Sequence, residues 1–380
     1  MSLTDAARPR PHPAAAARRE RLRGLLRAEG LDALLVTDLV NVRYLAGFTG
    51  SNAALLLHAD ADGPHGTPDT LATDGRYTVQ AGAESPDLAL LVERACGPAL
   101  LAGVRPGARV GFDSAEVTVD AHDALAAAAP GADLVRAPGL VERLRAVKDS
   151  GEVDALRLAC AAADAALAGA VADGVLVPGR TEREVAQDLE ARMREHGAEG
   201  PSFATIVAAG ANSAIPHHRP TDAPLAAGDL LTMDFGALVD GYRSDMTRTV
   251  VLGPVADWQR EIHALVDAAA AAGRAALAPG VATRDVDAAA RDVITAAGYG
   301  EAFVHGLGHG VGLVIHEAPP VAATATATLE AGMTVTVEPG VYLPGRGGVR
   351  IEDTLVVSDD GAEPLTRSPR DLLVLPSARP

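Results

Sequence analysis

Apolar positions follow two rhythms along this chain. Over residues 18–29 they recur at helical spacing among arginines and glutamates, and Gly30 follows, which predicts an amphipathic helix with a glycine stop. Ala33–Val36 and residues 53–57 are unbroken apolar runs between turn residues, and each reads as a buried strand. A third strand is expected over 71–73, ending at Asp74 and Gly75. Asn41, Tyr44 and the cluster 47–51 read as turn, and the Pro/Gly-rich stretch 60–69 as a loop insertion. Helices and strands alternate to about residue 140, which predicts an α/β sheet with helices on its faces. Near Lys148 to Gly151 the pattern changes to a long alanine-rich helix, and a domain boundary is expected there.

The second half repeats itself. A long helix leads to Pro178-Gly179, then Thr181 opens a second helix to about His196, then strands follow. A helix from about Asp257 leads to Pro279-Gly280, Thr283 is expected to cap another helix, and strands follow again. The strands match as well. Gly228 begins a run ending at Asp234, Gly332 begins one ending at Glu338, and each acid lies six residues after its glycine. Each is followed by a glycine-containing turn and a second strand bearing another acid, Asp245 or Glu352. Two half-domains of about 100 residues, each a helix pair plus a hairpin, imply a duplication with pseudo-two-fold symmetry.

Symmetry of that kind gathers Asp234, Asp245, Glu338 and Glu352 at the shared interface. Four buried carboxylates cannot all stay ionised without counter-charge, and two divalent cations balance them. A further ligand is expected from residues 303–319, where His305, His309 and His316 stand among glycines. His217 and His218 form a second candidate pair; the residues alone leave open whether either lines the cleft. The remaining histidines, His12, His58, His65, His122, His196 and His263, read as surface positions. One imidazole with four carboxylates makes a hard, oxygen-rich site, suited to manganese, cobalt or iron.

Composition narrows the rest. The 380 residues carry a net charge of −17, which argues against a nucleic-acid or anionic-membrane partner. No uncharged run approaches the ~18–20 residues of a membrane span. The N-terminal apolar stretch is too short for a signal-peptide core. Cys96 and Cys160 stand apart in apolar surroundings and read as buried thiols of a reducing, cytoplasmic compartment.

The segments MDFGALVDGYRSDMTRT, HGLGHGVGLVIHEAP and VEPGVYLPGRGGVRIED resemble the ligand-bearing stretches of the pita-bread metallopeptidases, the creatinase, Xaa-Pro dipeptidase and aminopeptidase P group. NVRYLAGFTGSNAALLL and TDGRYTVQA resemble the N-terminal domain of bacterial Xaa-Pro aminopeptidases. The Pro/Ala/Arg-rich start, 1–17, reads as disordered, and the resemblance implies a creatinase-like α/β domain over 18–147 and an α+β pita-bread catalytic domain over 148–380. It implies two divalent ions, manganese foremost with cobalt, iron or zinc as alternatives. By that likeness Asp234 and Asp245 hold one ion, His309 and Glu338 the other, and Asp245 and Glu352 bridge them. Glu338 then moves the proton for a bridging hydroxide. His217 and His316 stabilise the intermediate, His305 shapes the proline pocket, and Arg350 orients acids and substrate.

The expected activity is removal of an N-terminal residue from peptides with proline second, by a homodimer or homotetramer. An Xaa-Pro dipeptidase with the same site is the alternative. Methionine aminopeptidase is disfavoured by the preceding domain, creatine hydrolysis would need other cleft residues, and a metal-free binding module would be expected to have lost ligands.

Overall fold

Two units make up the chain, residues 1–145 and 146–380, and the computed structural model describes residues 14–61, 63 and 67–377. His12, His65 and residues 1–13 of the expected disordered start lie outside the described residues.

In the first unit α1 (Ala15–Ala28) begins three residues earlier than the apolar pattern predicts, and β1 (Ala33–Val36) follows as expected. The predicted turn around Asn41 and Tyr44 is instead a helix, α2 (Leu39–Ala46). Its ends are defined locally: the Asp38 side chain accepts from the Asn41 amide, and Gly47 closes the helix at φ 77. Next come β2 (Ala53–His58), β3 (Thr70–Thr73), α3 (Thr78–Glu84) and β4 (Ala89–Val92). Then α4 (Cys96–Leu101), β5 (Arg109–Phe112), α5 (Val119–Ala128), β6 (Asp133–Arg136) and α6 (Leu140–Ala146) complete the unit. The strands form one mixed sheet in the order β4-β3-β2-β1-β5-β6. β1 and β2 are buried on both faces, which explains their continuous apolar runs. Ala33, Leu35, Ala54 and Leu56 pack under Leu100 and Leu101 of α4 and Leu125 of α5. His58, expected at the surface, is buried at the end of β2.

The second unit opens with α7 (Ser150–Ala172), capped by a reciprocal Asp149–Glu152 box, and α8 (Glu182–Glu195), capped by Thr181 and Glu184. α7 is long and apolar enough to cross a membrane by composition, but its buried face, including Ala159, Cys160, Ala163 and Ala166, joins the unit's core. The strands of this half are β7 (Gly200–Pro201), β8 (Ile206–Ala209), β9 (Leu230–Phe235), β10 (Ala237–Val239), β11 (Tyr242–Arg243) and β12 (Met246–Leu252). The second half has α9 (Asp257–Ala276) and α10 (Thr283–Ala296), then β13 (Gly308–Gly310), β14 (Glu317–Val321) and β15 (Thr334–Val337). It ends with β16 (Gly340–Leu343), β17 (Gly347–Arg350), β18 (Asp353–Ser358), β19 (Gly361–Pro364) and β20 (Val374–Leu375). Thr283 is not the cap of α10 but its first residue; its hydroxyl donates to Ala327 O at 3.3 Å. His263 of α9, expected at the surface, is buried.

The duplication is visible in the pairing. β9 pairs antiparallel with β12, Asp234 opposite Thr247, and β15 pairs antiparallel with β18, Val337 opposite Asp353. Each half has its own apolar core under its helix pair. Between the cores the two hairpins meet through buried polar groups. Thr249 Oγ1 donates to Arg350 O at 2.9 Å, Thr354 Oγ1 to Asp245 O at 2.8 Å, and the Glu352 amide to Thr247 O at 3.1 Å. Buried hydroxyls satisfied across the seam fix the register of one half against the other.

Candidate metal centre and active site

Where the hairpins meet, a cleft of about 410 Å3 opens. Nine of the ten candidates singled out in the sequence line it, all but His218: His217, Asp234, Asp245, His305, His309, His316, Glu338, Arg350 and Glu352. Asp234 stands near the end of β9 and Asp245 just before β12; Glu338 follows β15 and Glu352 precedes β18. Strand ends therefore carry all four acids to one place, two from each half.

The chemistry of the donor set fits divalent metal. Asp245 and Glu352 are almost fully buried. Burial first, and then Glu352 and Asp234, push the Asp245 carboxyl well above the ordinary range. Burial, Glu338 and Asp234 do the same to Glu352. Burial raises Glu338 to about 8, with Arg350 opposing and Asp234 reinforcing the shift. Arg350 is the one lysine or arginine among the described residues lining the cleft, too little positive charge for four carboxylates. Asp234 Oδ1 is buried with no hydrogen-bond partner among the described residues, while Oδ2 accepts from Arg350 Nη2 at 2.6 Å. An orphaned carboxylate oxygen beside two unneutralised acids is costly unless a cation completes it.

His309 makes the same point from the other side. Burial lowers its pKa to about 4, so the ring is neutral at pH 7. Nδ1 faces Gly310 O at 3.0 Å and donates there, which leaves the Nε2 lone pair facing Asp245 Oδ2 at 3.6 Å and Glu338 Oε1 at 3.4 Å. Two carboxyls and an imidazole lone pair around one gap need a proton or a cation between them, and their raised carboxyl pKa values show that need. Ligand atoms of Asp245, His309 and Glu352 lie within 4.8 Å of one another. The residues therefore fit the metal they were expected to hold.

Beside the acids, His316 packs edge-on against His309, with ring centroids 4.4 Å apart. His217 faces the cleft, whereas its neighbour His218 turns away and places Nε2 2.8 Å from Glu182 Oε2. The alternative left open by the sequence is thus resolved in position: only His217 of the pair lines the cleft.

Tyr342, on β16, was missed by sequence reasoning. Its hydroxyl accepts from Arg350 Nη1 at 2.9 Å and donates to His305 Nε2 at 2.9 Å; His305 Nδ1 in turn donates to Gly306 O at 2.8 Å. Both nitrogens of His305 are therefore occupied, and what the ring offers the cleft is its carbon surface. Burial lowers the His305 pKa to about 4, consistent with a neutral ring. The available signal was a lone polar ring in the apolar strand between Glu338 and Arg350. Lys148 and Glu317 were missed too. They form a buried pair at 2.7 Å, and Glu317 is the residue next to His316.

Comparison with known proteins matches residues 154–359 to Metallopeptidase family M24 and residues 18–147 to the Creatinase/Prolidase N-terminal domain. An uncharacterized peptidase of Bacillus subtilis, YqhT, is 39% identical over 94% of this chain and 99% of its own length. A solved Xaa-Pro dipeptidase from Bacillus anthracis superposes with a TM-score of 0.88 at 38% identity, covering 95% of this chain and all of that one, 100%. A solved X-Pro aminopeptidase from Thermotoga maritima gives 0.84 at 34% identity, covering 94% and 99% of the two chains.

Proposed function

The chain belongs to metallopeptidase family M24, with a creatinase-type N-terminal domain ahead of a pita-bread catalytic domain, and on that footing we propose that it is a dinuclear Xaa-Pro dipeptidase. The observation that carries the chemistry is the gap shared by ligand-type groups: the carboxyls of Asp245, Glu338 and Glu352 and the Nε2 lone pair of His309. The likeness to an Xaa-Pro dipeptidase along the full chain supports the substrate class.

In this reading Asp234, Asp245, His309, Glu338 and Glu352 would hold the two ions. Oxygen-rich donors with one imidazole favour manganese, with cobalt, iron or zinc as alternatives. Bound ions would polarise the scissile carbonyl and lower the pKa of water. As water adds to the scissile carbonyl and the C–N bond breaks, Glu338 would take that water's proton on its carboxylate and deliver it to the leaving proline nitrogen. His217 and His316 donate to the carbonyl oxygen as negative charge builds on it. Arg350 orients Asp234 through Nη2, while Nε is held by Thr247 Oγ1 at 3.0 Å. His305 presents an apolar ring face to the proline ring, its nitrogens being engaged elsewhere.

A second reading, an aminopeptidase acting on longer Xaa-Pro peptides, has its own support. All three nitrogens of Arg350 are already engaged, and no other lysine or arginine among the described residues lines the cleft to capture a free proline carboxylate. Xaa-Pro, Xaa-Pro-Yaa and Met-Ala-Yaa peptides assayed with added manganese separate these cases. Cleavage confined to Xaa-Pro supports the dipeptidase, cleavage of Xaa-Pro-Yaa the aminopeptidase, and cleavage of Met-Ala-Yaa alone rejects both. The buried free thiols Cys96 and Cys160 support a reducing cytoplasm. A homodimer or homotetramer, implied by the resemblance, belongs to the same proposal and is decided by light scattering.

A further inference from the structure

Glu182 opens α8 and is fully buried, yet it does not line the cleft. Its carboxylate collects five donors from one segment of chain. Oε1 accepts from the Ala209 amide and from Asn212 Nδ2, both at 2.9 Å. Oε2 accepts from His218 Nε2 at 2.8 Å, the Thr221 amide at 2.9 Å and Thr221 Oγ1 at 2.7 Å. Burial alone would raise its pKa, but the donors outweigh burial and hold the carboxyl below its ordinary value.

The donors flank a turn. The Ile215 amide donates to Asn212 O at 2.9 Å, and the His218 amide to Ile215 O at 3.2 Å, so that Pro216 and His217 form the tip. Both tip residues line the cleft. Glu182 thus grips the chain before the tip, at Ala209 and Asn212, and after it, at His218 and Thr221. The opposite side is tied as well: Ser213 Oγ accepts from the Gly348 amide at 2.9 Å, and Arg350 Nη1 donates to Pro216 O at 3.3 Å. An imidazole on a tip clamped from both sides has little freedom to leave its working position. His218 spends its Nε2 proton on the clamp, which explains why two adjacent histidines have different surroundings.

We propose that Glu182 is a positioning residue, which clamps the 209–221 segment so that His217 is presented to the reacting carbonyl. The proposal rests on the Xaa-Pro peptidase reading for its substrate, and its test separates the two. Glu182→Gln keeps the size but turns an amide NH2 toward donors. In metal-loaded enzyme it should lower kcat on an Xaa-Pro peptide roughly ten- to hundredfold, because small displacements of a catalytic group are that costly. KM should change by less than about threefold and metal content should stay at the wild-type level. In a His217→Ala background the same change should add less than about a twofold loss, since the residue it positions is gone. His218→Ala, a milder cut in the same clamp, should follow the same pattern with a smaller loss.

Amide exchange supplies a readout independent of turnover. Glu182→Gln should speed exchange at Ala209 and Thr221 while leaving α9 at the wild-type rate. An equal kcat loss with and without His217, or exchange over 209–221 unchanged by Glu182→Gln, overturns the clamp. Failure of the wild type to cleave any Xaa-Pro peptide overturns the substrate reading instead, and exchange still decides the clamp.

Discussion

Lys148 is the chain's single lysine, and its side chain is 1% exposed, with Nζ 2.7 Å from Glu317 Oε1. Lys148→Met keeps the apolar stem and removes the charge. Glu317, itself 7% exposed, then loses the ammonium 2.7 Å away. Breaking a buried ion pair from one side costs about 3–5 kcal/mol, because the remaining charge stays desolvated. For a unit of this size each kcal/mol moves Tm by about 2–4 °C, so Lys148→Met should melt roughly 6–20 °C below wild type. The loss should shrink when Glu317→Gln is added, since both charges of the pair are then gone. Thermal melts of wild type, both single variants and the double variant, at matched metal loading, complete the cycle. The Cβ of an alanine at Gly312 would collide with Glu317 Oε1 and press on Lys148 Cε, so Gly312→Ala should destabilise in the same direction. A Lys148→Met melt within 2 °C of wild type, a threshold well under the low end of that range, would refute the reasoning.

Three further outcomes are expected. Glu338→Ala removes a proposed ligand and the proton carrier together, and turnover should fall by at least ~10²–10⁴-fold in a peptidase assay; a near-normal rate rejects its role. His316→Ala should lower kcat with metal content retained, as measured by kinetics alongside elemental analysis, and loss of metal would place it among the ligands instead. The metal-free protein should lose stability as pH rises. Glu338 has a folded pKa of about 8 against an ordinary 4.5, so the folded state holds its proton more tightly. That contribution is complete below about 4.5 and disappears as pH rises through about 8, with Asp245 and Glu352 shifted in the same direction. Melts of chelated protein between these values should fall with pH, and added divalent metal should flatten the trend.

Local signals were the legible ones. The two glycine-to-acid runs ending at Asp234 and Glu338 announced the paired hairpins because strand, turn and acid are contiguous in the chain. Seven of the nine cleft residues followed from those runs and from the glycine-rich histidine segment; the sequence left His217 open against His218, and Arg350 was singled out only by the family resemblance. α2 was readable in principle, since Asp38 and Gly47 are its cap and stop, but Asn41 and Tyr44 weigh toward turn on propensity alone. The arginines of α1 mislead for a different reason. Arg18, Arg19 and Arg23 are buried because distant groups receive them: Arg23 Nη2 pairs with Asp69 at 2.6 Å, and Arg19 with Asp87. Tyr342, Glu182 and Lys148 act through hydrogen bonds that fold brings together, and Lys148 and Glu317 stand 169 residues apart. No local pattern encodes such partners.

Elemental analysis of protein purified without chelator, paired with calorimetric titration of manganese into the stripped protein, addresses the shared acidic site itself. About two divalent ions per chain are expected, with binding lost or cut to one in Asp245→Asn, whose carboxylate faces the gap shared with His309 and Glu352. Less than one equivalent, not restored by added manganese and unaffected by Asp245→Asn, would contradict a metal-dependent peptidase built on these hairpins.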